Sequence, residues 1–190
     1  MPEGPECAST AKFVDSFMSD KEISKIEILS GRYKKKLPDG LEDIRNMLPA
    51  RVNSWSSKGK FIYGQIDYGC GRSSFIWNTL GMSGCWTVKK KKHSRVRFDF
   101  ADSSSIWYTD MRNFGTIKFN MSHEETQSKL SSLGPDPLNS DIHIDTFKER
   151  LFRKNRGGEK TICEGLMNQK TISGVGNYIK ADSLWLARLS

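Results

Sequence analysis

The stretch Val96-Arg97-Phe98-Asp99-Phe100 puts Val96, Phe98 and Phe100 on one side and Arg97 and Asp99 on the other. Alternation of this kind is the period of a half-buried β-strand. Similar short β-rich runs recur at residues 23–29, 61–66, 75–77, 106–108 and 117–119, separated by turns that contain Gly, Asp and Ser. Many short strands with such turns predict a β-sandwich or barrel. N-terminal to them, Cys7, Ala11, Val14, Phe17 and Met18 recur at three- and four-residue steps, the pattern of an amphipathic helix. C-terminal to them, Gly134-Pro135-Asp136-Pro137 interrupts the texture, and the remainder of the chain reads as helical. Asp145 can cap a helix running through Phe147, Leu151 and Phe152, and a second helical segment contains Ile162, Leu166 and Met167. A basic, glycine-containing loop at 153–158 separates the two, and Ser173-Gly174-Val175-Gly176-Asn177 breaks the period before 178–189 resumes it.

The chain has 190 residues, 36% of them hydrophobic and 11% aromatic, enough for a real core in one large or two small domains. Thirty Lys and Arg against 22 Asp and Glu leave a net charge of +8, which favours polyanionic partners. No apolar run reaches the roughly 18 residues of a membrane span, and the N-terminus has no signal-peptide core. A soluble, intracellular protein without membrane contact is expected. Cys7, Cys70, Cys85 and Cys163 are scattered, and His93, His123 and His143 form no ligand pair. Reduced, mostly buried thiols, no metal site and no cofactor are expected.

The N-terminus, Met1-Pro2-Glu3-Gly4-Pro5-Glu6, carries chemistry of its own. Removal of Met1 would expose a proline amine, and at an α-amino pKa near 8 about a tenth of such amines are unprotonated at pH 7. That is a nucleophile suited to a masked aldehyde, with Glu3 and Glu6 as nearby carboxylates. The same residues also read as a plain helix start, since Pro and acidic residues both favour a first turn. Gly174-Val175-Gly176 before a helix beginning at Asn177 is either a phosphate-binding turn, with amides pointing at an anion, or an ordinary interhelical turn.

Six segments in one order carry a family resemblance: Met1 to Glu6, Lys58-Gly59-Lys60-Phe61, Leu80-Gly81-Met82-Ser83-Gly84, Asp110-Met111-Arg112-Asn113-Phe114-Gly115, Leu133-Gly134-Pro135-Asp136-Pro137-Leu138 and Gly174-Val175-Gly176-Asn177-Tyr178. Together they resemble the formamidopyrimidine-DNA glycosylase and endonuclease VIII family of bifunctional DNA repair enzymes, over essentially the whole chain. The resemblance implies an α+β fold: an N-terminal helix with a two-layer β-sandwich, then a helical helix-two-turn-helix domain, C-terminally truncated. The expected divisions are a catalytic domain at 1–120, a linker or helix at 121–134 and a partial DNA-binding domain at 135–190.

The resemblance also implies roles. Pro2 corresponds to the nucleophile that attacks C1′ and forms a Schiff base, Glu3 to the catalytic carboxylate, Glu6 to a further acidic position, and Lys60 to a lysine holding phosphate beside the lesion. Met82, Arg112 and Phe114 match residues that fill the gap left by an everted nucleotide. Asn177, with Lys180, matches the element gripping flanking phosphates, and His93 a DNA-contacting basic position. The lysine run at 89–92, beside His93, falls on an expected hairpin. Without family context, Met82 and Phe114 are ordinary core candidates, Lys60 a strand-edge lysine and the lysine run a solvated loop.

Three departures bear on function. Family members continue into further helices and a β-hairpin finger whose arginine clamps phosphate around the lesion, whereas this sequence stops at Ser190, which bears on DNA affinity and turnover and favours oxidised pyrimidines and formamidopyrimidines over 8-oxoguanine. Thr79 stands where some members have histidine, and Asn113 where an arginine is common. The expected activity is excision of oxidised bases followed by β,δ-elimination, on double- or single-stranded damaged DNA, by a monomer located in the nucleus of a eukaryote or otherwise in the cytoplasm or nucleoid. The alternatives are a catalytically silent lesion- or structure-specific DNA-binding protein and a basic domain that binds RNA or a protein.

Overall fold

The computed structural model describes residues 1–152 and 161–189, so the basic loop expected at 153–158 lies outside the described residues. Helix α1 (Gly4–Met18) starts the chain and buries Cys7, Ala11, Val14 and Met18, the stripe expected from the spacing. Burying a side chain of the Val or Met class contributes about 1.5–3 kcal/mol, so this face holds α1 on the sheet. Eight strands follow: β1 (Glu22–Ile28), β2 (Ala50–Lys58), β3 (Phe61–Asp67), β4 (Ser73–Thr79), β5 (Gly84–Thr87), β6 (Ser94–Phe100), β7 (Ser105–Asp110) and β8 (Thr116–Met121). A short 3-10 helix (Gly31–Lys34) and α2 (Leu41–Asn46) connect β1 to β2.

The strands form one antiparallel sheet in the order β5-β7-β6-β1-β2-β3-β4-β8. The two halves join through a short β1–β2 pairing, Glu22 opposite Arg51 and Ile23 opposite Ala50. The sheet closes over this seam into two layers. Trp55 of β2 meets Trp86 of β5 edge to face at 5.6 Å, and Phe98 of β6 meets Phe119 of β8 at 6.0 Å, pairs far apart in strand order. Buried polar groups are matched across the same interface: Trp86 Nε1 donates to Asn78 Oδ1 at 3.0 Å and the Tyr108 hydroxyl to the Thr79 carbonyl at 3.3 Å. The observed architecture is the expected α+β sandwich followed by helices.

Two strands and one connection differ from the expectation. β2 and β5 lie outside the runs read from the sequence. Between Val52 and Trp55, β2 carries a register shift that breaks the two-residue period, and β5 is only four residues long. The lysine run at 89–92 is not on a hairpin between paired strands, because β7 sits between β5 and β6 and pairs with both. The loop therefore bridges over β7, with its lysines exposed.

Helix α3 (His123–Ser132), capped by Ser122, follows β8. Helices α4 (Ile144–Phe152), α5 (Ile162–Met167) and α6 (Asn177–Leu186) enclose a second, smaller core of Leu151, Leu166 and Val175. Asp145 lies inside the first turn of α4, one residue past its start, rather than capping it. Thr161 caps α5 reciprocally with Glu164. No helix among the described residues is long and apolar enough to cross a membrane.

Candidate functional site

Three distant segments converge on close backbone contacts. Gly59, at the turn of the β2–β3 hairpin, has φ +56°, and a Cβ there would stand 2.5 Å from the Gly174 nitrogen. Gly174 has φ +95°, and its carbonyl accepts from the Gly4 N–H at 2.9 Å. A side chain at Gly59 would push the hairpin off the turn before α6. Asp136, buried in the segment after α3, locks the same junction: its carboxylate accepts from the Gly59 N–H at 2.8 Å, the Leu138 N–H at 3.0 Å and Asn139 Nδ2 at 2.9 Å.

This convergence positions the acidic residues of the N-terminus. Glu3 is the N-cap residue of α1 and forms a capping box with Glu6, and its side chain also serves α6. Only 1% exposed, it accepts from the N–H groups of Gly176 at 2.6 Å, Tyr178 at 3.0 Å and Ile179 at 3.3 Å. A carboxylate at a helix N-terminus satisfies donors that have no partner within the helix and sits at the positive end of its dipole. Two of the three amides of the 174–176 turn are accordingly spent inside the protein, Gly176 on Glu3 and Gly174 on Gln169 Oε1 at 3.0 Å. The turn read as a phosphate grip holds the chain's own carboxylate.

Glu6 faces the other way. Its carboxylate accepts from the Glu3 N–H at 2.8 Å and from the Tyr178 hydroxyl at 2.9 Å. The Glu3 N–H, with that hydroxyl, holds Glu6 below the usual carboxylate range. Lys60, half-buried, approaches the same cluster: a methyl at Gly176 would collide with the Glu3 carboxyl and stand 2.6 Å from Lys60 Nζ. Burial lowers the Lys60 pKa, against the raising effect of Glu3.

Beside this cluster opens a cavity of about 320 Å³ whose wall includes Pro2, Cys7, Lys60, Thr79, Leu133 and Lys129. Met1 also lines it. The structure thus brings Pro2 and Lys60 to one cavity, with Glu3 behind the wall and Glu6 on the α6 side. Lys129 is an addition. Its ammonium lies 5.7 Å from the Phe61 ring centre, and neighbouring Lys58 Nζ donates to the Leu130 carbonyl at 2.8 Å. Nothing in the polar sequence of α3 marks Lys129, because only the packing of α3 against the hairpin turns it to the cavity.

At the rim, Gly81 leads from the cavity wall to Met82, which is 43% exposed, and the β7–β8 loop presents exposed Arg112 and Phe114. Arg112 Nη1 reaches Met82 Sδ at 3.3 Å. Asp110, buried beneath, organises both loops. Its carboxylate accepts from Ser83 Oγ at 2.5 Å and the Gly115 N–H at 2.8 Å, while Ser83 Oγ accepts from the Arg112 N–H at 2.9 Å. Arg95 braces the loop from below, donating to the carbonyls of Asp110 and Met111. Exposure of Met82 and Phe114 excludes the core alternative for both. His93 is half-exposed, its carbonyl accepting from the Asp110 N–H at 3.0 Å. Asn177 is exposed as the first residue of α6, and Lys180 is half-buried one turn later.

All four thiols are free, but only Cys7 is buried, while Cys70 is exposed and Cys85 and Cys163 are intermediate. The expectation of mostly buried thiols fails because Cys70 lies in the β3–β4 turn at φ +53°. Burial pushes the Cys7 thiol up to about 12, so it is a poor nucleophile at neutral pH. Mass-resolved alkylation of native protein at pH 8 should therefore label Cys70 rapidly and Cys7 only after denaturation. No group of His, Cys, Asp and Glu suited to a metal is present among the described residues.

Comparison with known proteins gives the same outline. The model of the formamidopyrimidine-DNA glycosylase N-terminal domain matches residues 1–117, and that of the H2TH domain of the same enzymes matches 133–190. The formamidopyrimidine-DNA glycosylase of Oceanobacillus iheyensis is 30% identical, over 100% of this chain and 66% of its own length. That of Bacillus licheniformis is 29% identical, over 98% and 67%. The chain thus spans about two thirds of the length of these relatives. Among solved structures, the Lactococcus lactis formamidopyrimidine-DNA glycosylase bound non-covalently to DNA containing an AP site superposes with a TM-score of 0.81 at 24% identity, over 98% of this chain and 70% of that one. MutM in complex with DNA containing carbocyclic 8-oxo-G gives 0.82 at 23%, over 100% and 70%. These two likenesses concern the fold. On the matched domains and the sequence identity together, the chain belongs to the formamidopyrimidine-DNA glycosylase family.

Proposed function

We propose that this chain is a DNA glycosylase of base excision repair with AP lyase activity, acting on oxidised pyrimidines and formamidopyrimidines in DNA. The observation that carries it is Pro2 in the wall of a cavity with Lys60, directly in front of the buried Glu3. Once Met1 is removed, the Pro2 nitrogen attacks C1′ of the everted nucleotide. The bond from C1′ to the base breaks, and the base leaves with the electron pair and takes up a proton. The proton lost by the Pro2 nitrogen passes through Glu3 to the ring oxygen as the sugar opens, leaving an iminium. Loss of a C2′ proton then expels the 3′ phosphate, a second elimination expels the 5′ phosphate, and water releases the enzyme.

Lys60 and Lys129 hold phosphate at the cavity. Met82, Arg112 and Phe114 enter the gap in the stack, whose opening costs a few kcal/mol that an apolar wedge partly recovers. Asn177, Lys180 and His93 contact flanking backbone. The enzyme works as a soluble intracellular monomer, with the catalytic part at 1–120 joined through 121–134 to the DNA-gripping part at 135–190.

Borohydride trapping tests this. Protein lacking Met1, incubated with duplexes carrying an abasic site or an oxidised pyrimidine, should yield a covalent adduct and cleaved strand. Neither product would sink the proposal, and lesion-selective binding without adduct would establish a catalytically silent binder instead.

A further inference from the structure

Between β1 and α2 the chain reads Gly31-Arg32-Tyr33-Lys34-Lys35-Lys36-Leu37-Pro38-Asp39-Gly40, four cations within five residues. Arg32, Lys34, Lys35 and Lys36 are all exposed. Among the described residues none of the four makes an ion pair.

An exposed lysine run is ordinarily a solvated loop, but this one is strapped to the sheet. β8 ends the strand order and presents an edge with unpaired backbone donors. The strap covers that edge. The hydroxyl of buried Tyr33 accepts from the Ile117 N–H at 2.9 Å, and the Asp39 carbonyl accepts from the Phe119 N–H at 2.8 Å. Asp39 also pairs with Lys118 at 2.8 Å. The lysines are therefore carried on backbone anchored at both ends, with a cavity of about 260 Å³ between Arg32, Lys36 and Lys118.

The strap also abuts the loop that carries Arg112 and Phe114. Arg32 Nη2 donates to the Gly115 carbonyl at 2.5 Å, and a Cβ at Gly31 would stand 2.6 Å from Asn113 Oδ1. The strap therefore touches the residues on either side of Phe114. Given the DNA-repair function proposed above, we infer that the strap at 32–36 is a second phosphate-binding surface, taking the sugar–phosphate backbone of duplex DNA next to the base step entered by Arg112 and Phe114. Cations that make no internal ion pair release counterions on meeting phosphate, and anchored backbone lowers the ordering cost of binding. Such contacts set register and affinity and carry no base specificity.

The test is Lys34→Ala/Lys35→Ala/Lys36→Ala in the full chain, with a duplex carrying a tetrahydrofuran abasic analogue, and Kd measured from 50 to 200 mM KCl. The slope of log K against log salt should flatten by about 2.7, roughly 0.9 for each of three phosphates. The melting temperature and the single-turnover rate at saturating enzyme should be unchanged. An unchanged slope in a folded variant overturns the inference. So does equal flattening in Lys12→Ala/Lys25→Ala/Arg51→Ala, which removes the same charge elsewhere, or loss of binding to phosphatidylserine vesicles with the DNA slope intact. Wild-type protein that fails to bind the duplex at all would instead sink the function on which the strap depends.

Discussion

Protein that retains Met1 is expected to give no borohydride-trapped adduct with abasic-site DNA, a loss of at least about a thousandfold against protein that starts at Pro2. With Met1 in place the Pro2 nitrogen is a tertiary amide, its lone pair delocalised into the carbonyl, and it can neither attack C1′ nor form an iminium. Met1 also occupies the wall of the same cavity, 54% exposed, so its removal opens space as well as freeing the amine. A free α-amine near pKa 8 further predicts that the trapping rate rises about tenfold from pH 6 to pH 7 and levels off above about pH 8. Preparations with and without Met1, verified by intact mass, settle the matter in one gel. Equal adduct from both would place the nucleophile elsewhere. Pro2→Gly should keep part of the trapping, since it retains an N-terminal amine.

Glu3→Gln should slow single-turnover base excision by about 10²- to 10⁴-fold, the range of a lost general acid or base. The same change should lower stability by about 1–3 kcal/mol. The stability effect comes from a buried carboxylate with three N–H donors of the α6 start. Glutamine keeps one oxygen for them and turns an NH2 group towards the rest, leaving donor against donor. For a chain of this size the expected fall in Tm is about 2–12 °C, at roughly 2–4 °C per kcal/mol. Calorimetry and burst kinetics with a lesion duplex separate the two effects. A wild-type excision rate would remove Glu3 from the chemistry, and a wild-type Tm would remove it from the anchoring of α6.

Legibility in the sequence depended on whether a segment's own pattern matched its burial. β6 was readable because Val96, Phe98 and Phe100 are buried while Arg97 and Asp99 are half-exposed. α1 was readable because one stripe of its residues faces the sheet. β2 was not, since Asn53, Ser54, Ser56 and Ser57 outnumber its buried residues and the register shift after Val52 disrupts their phase. Strand order was beyond local pattern altogether. β7 lies between β5 and β6 through pairings such as Gly84 with Asp110, and no residue in the lysine run at 89–92 reports that.

The candidate site divides the same way. Pro2 and Glu3 could be picked out from the chemistry of the N-terminus, and Lys60, Met82, Arg112 and Phe114 because the short motifs that hold them resemble those of the family. Lys129, Asp110 and Asp136 could not be assigned their parts, because each acts through a contact with a segment remote in the chain. By itself the sequence determined which side chains were available, the strands and helices whose apolar period is regular, and the family, because these depend on local period and residue identity. Only the tertiary structure decided that Gly4, Gly59 and Gly174 meet, that Glu3 closes α6 while Pro2 borders the cavity, and that the strap at 32–36 abuts the β7–β8 loop at Gly115. Those relations arise from packing between segments that folding alone brings together.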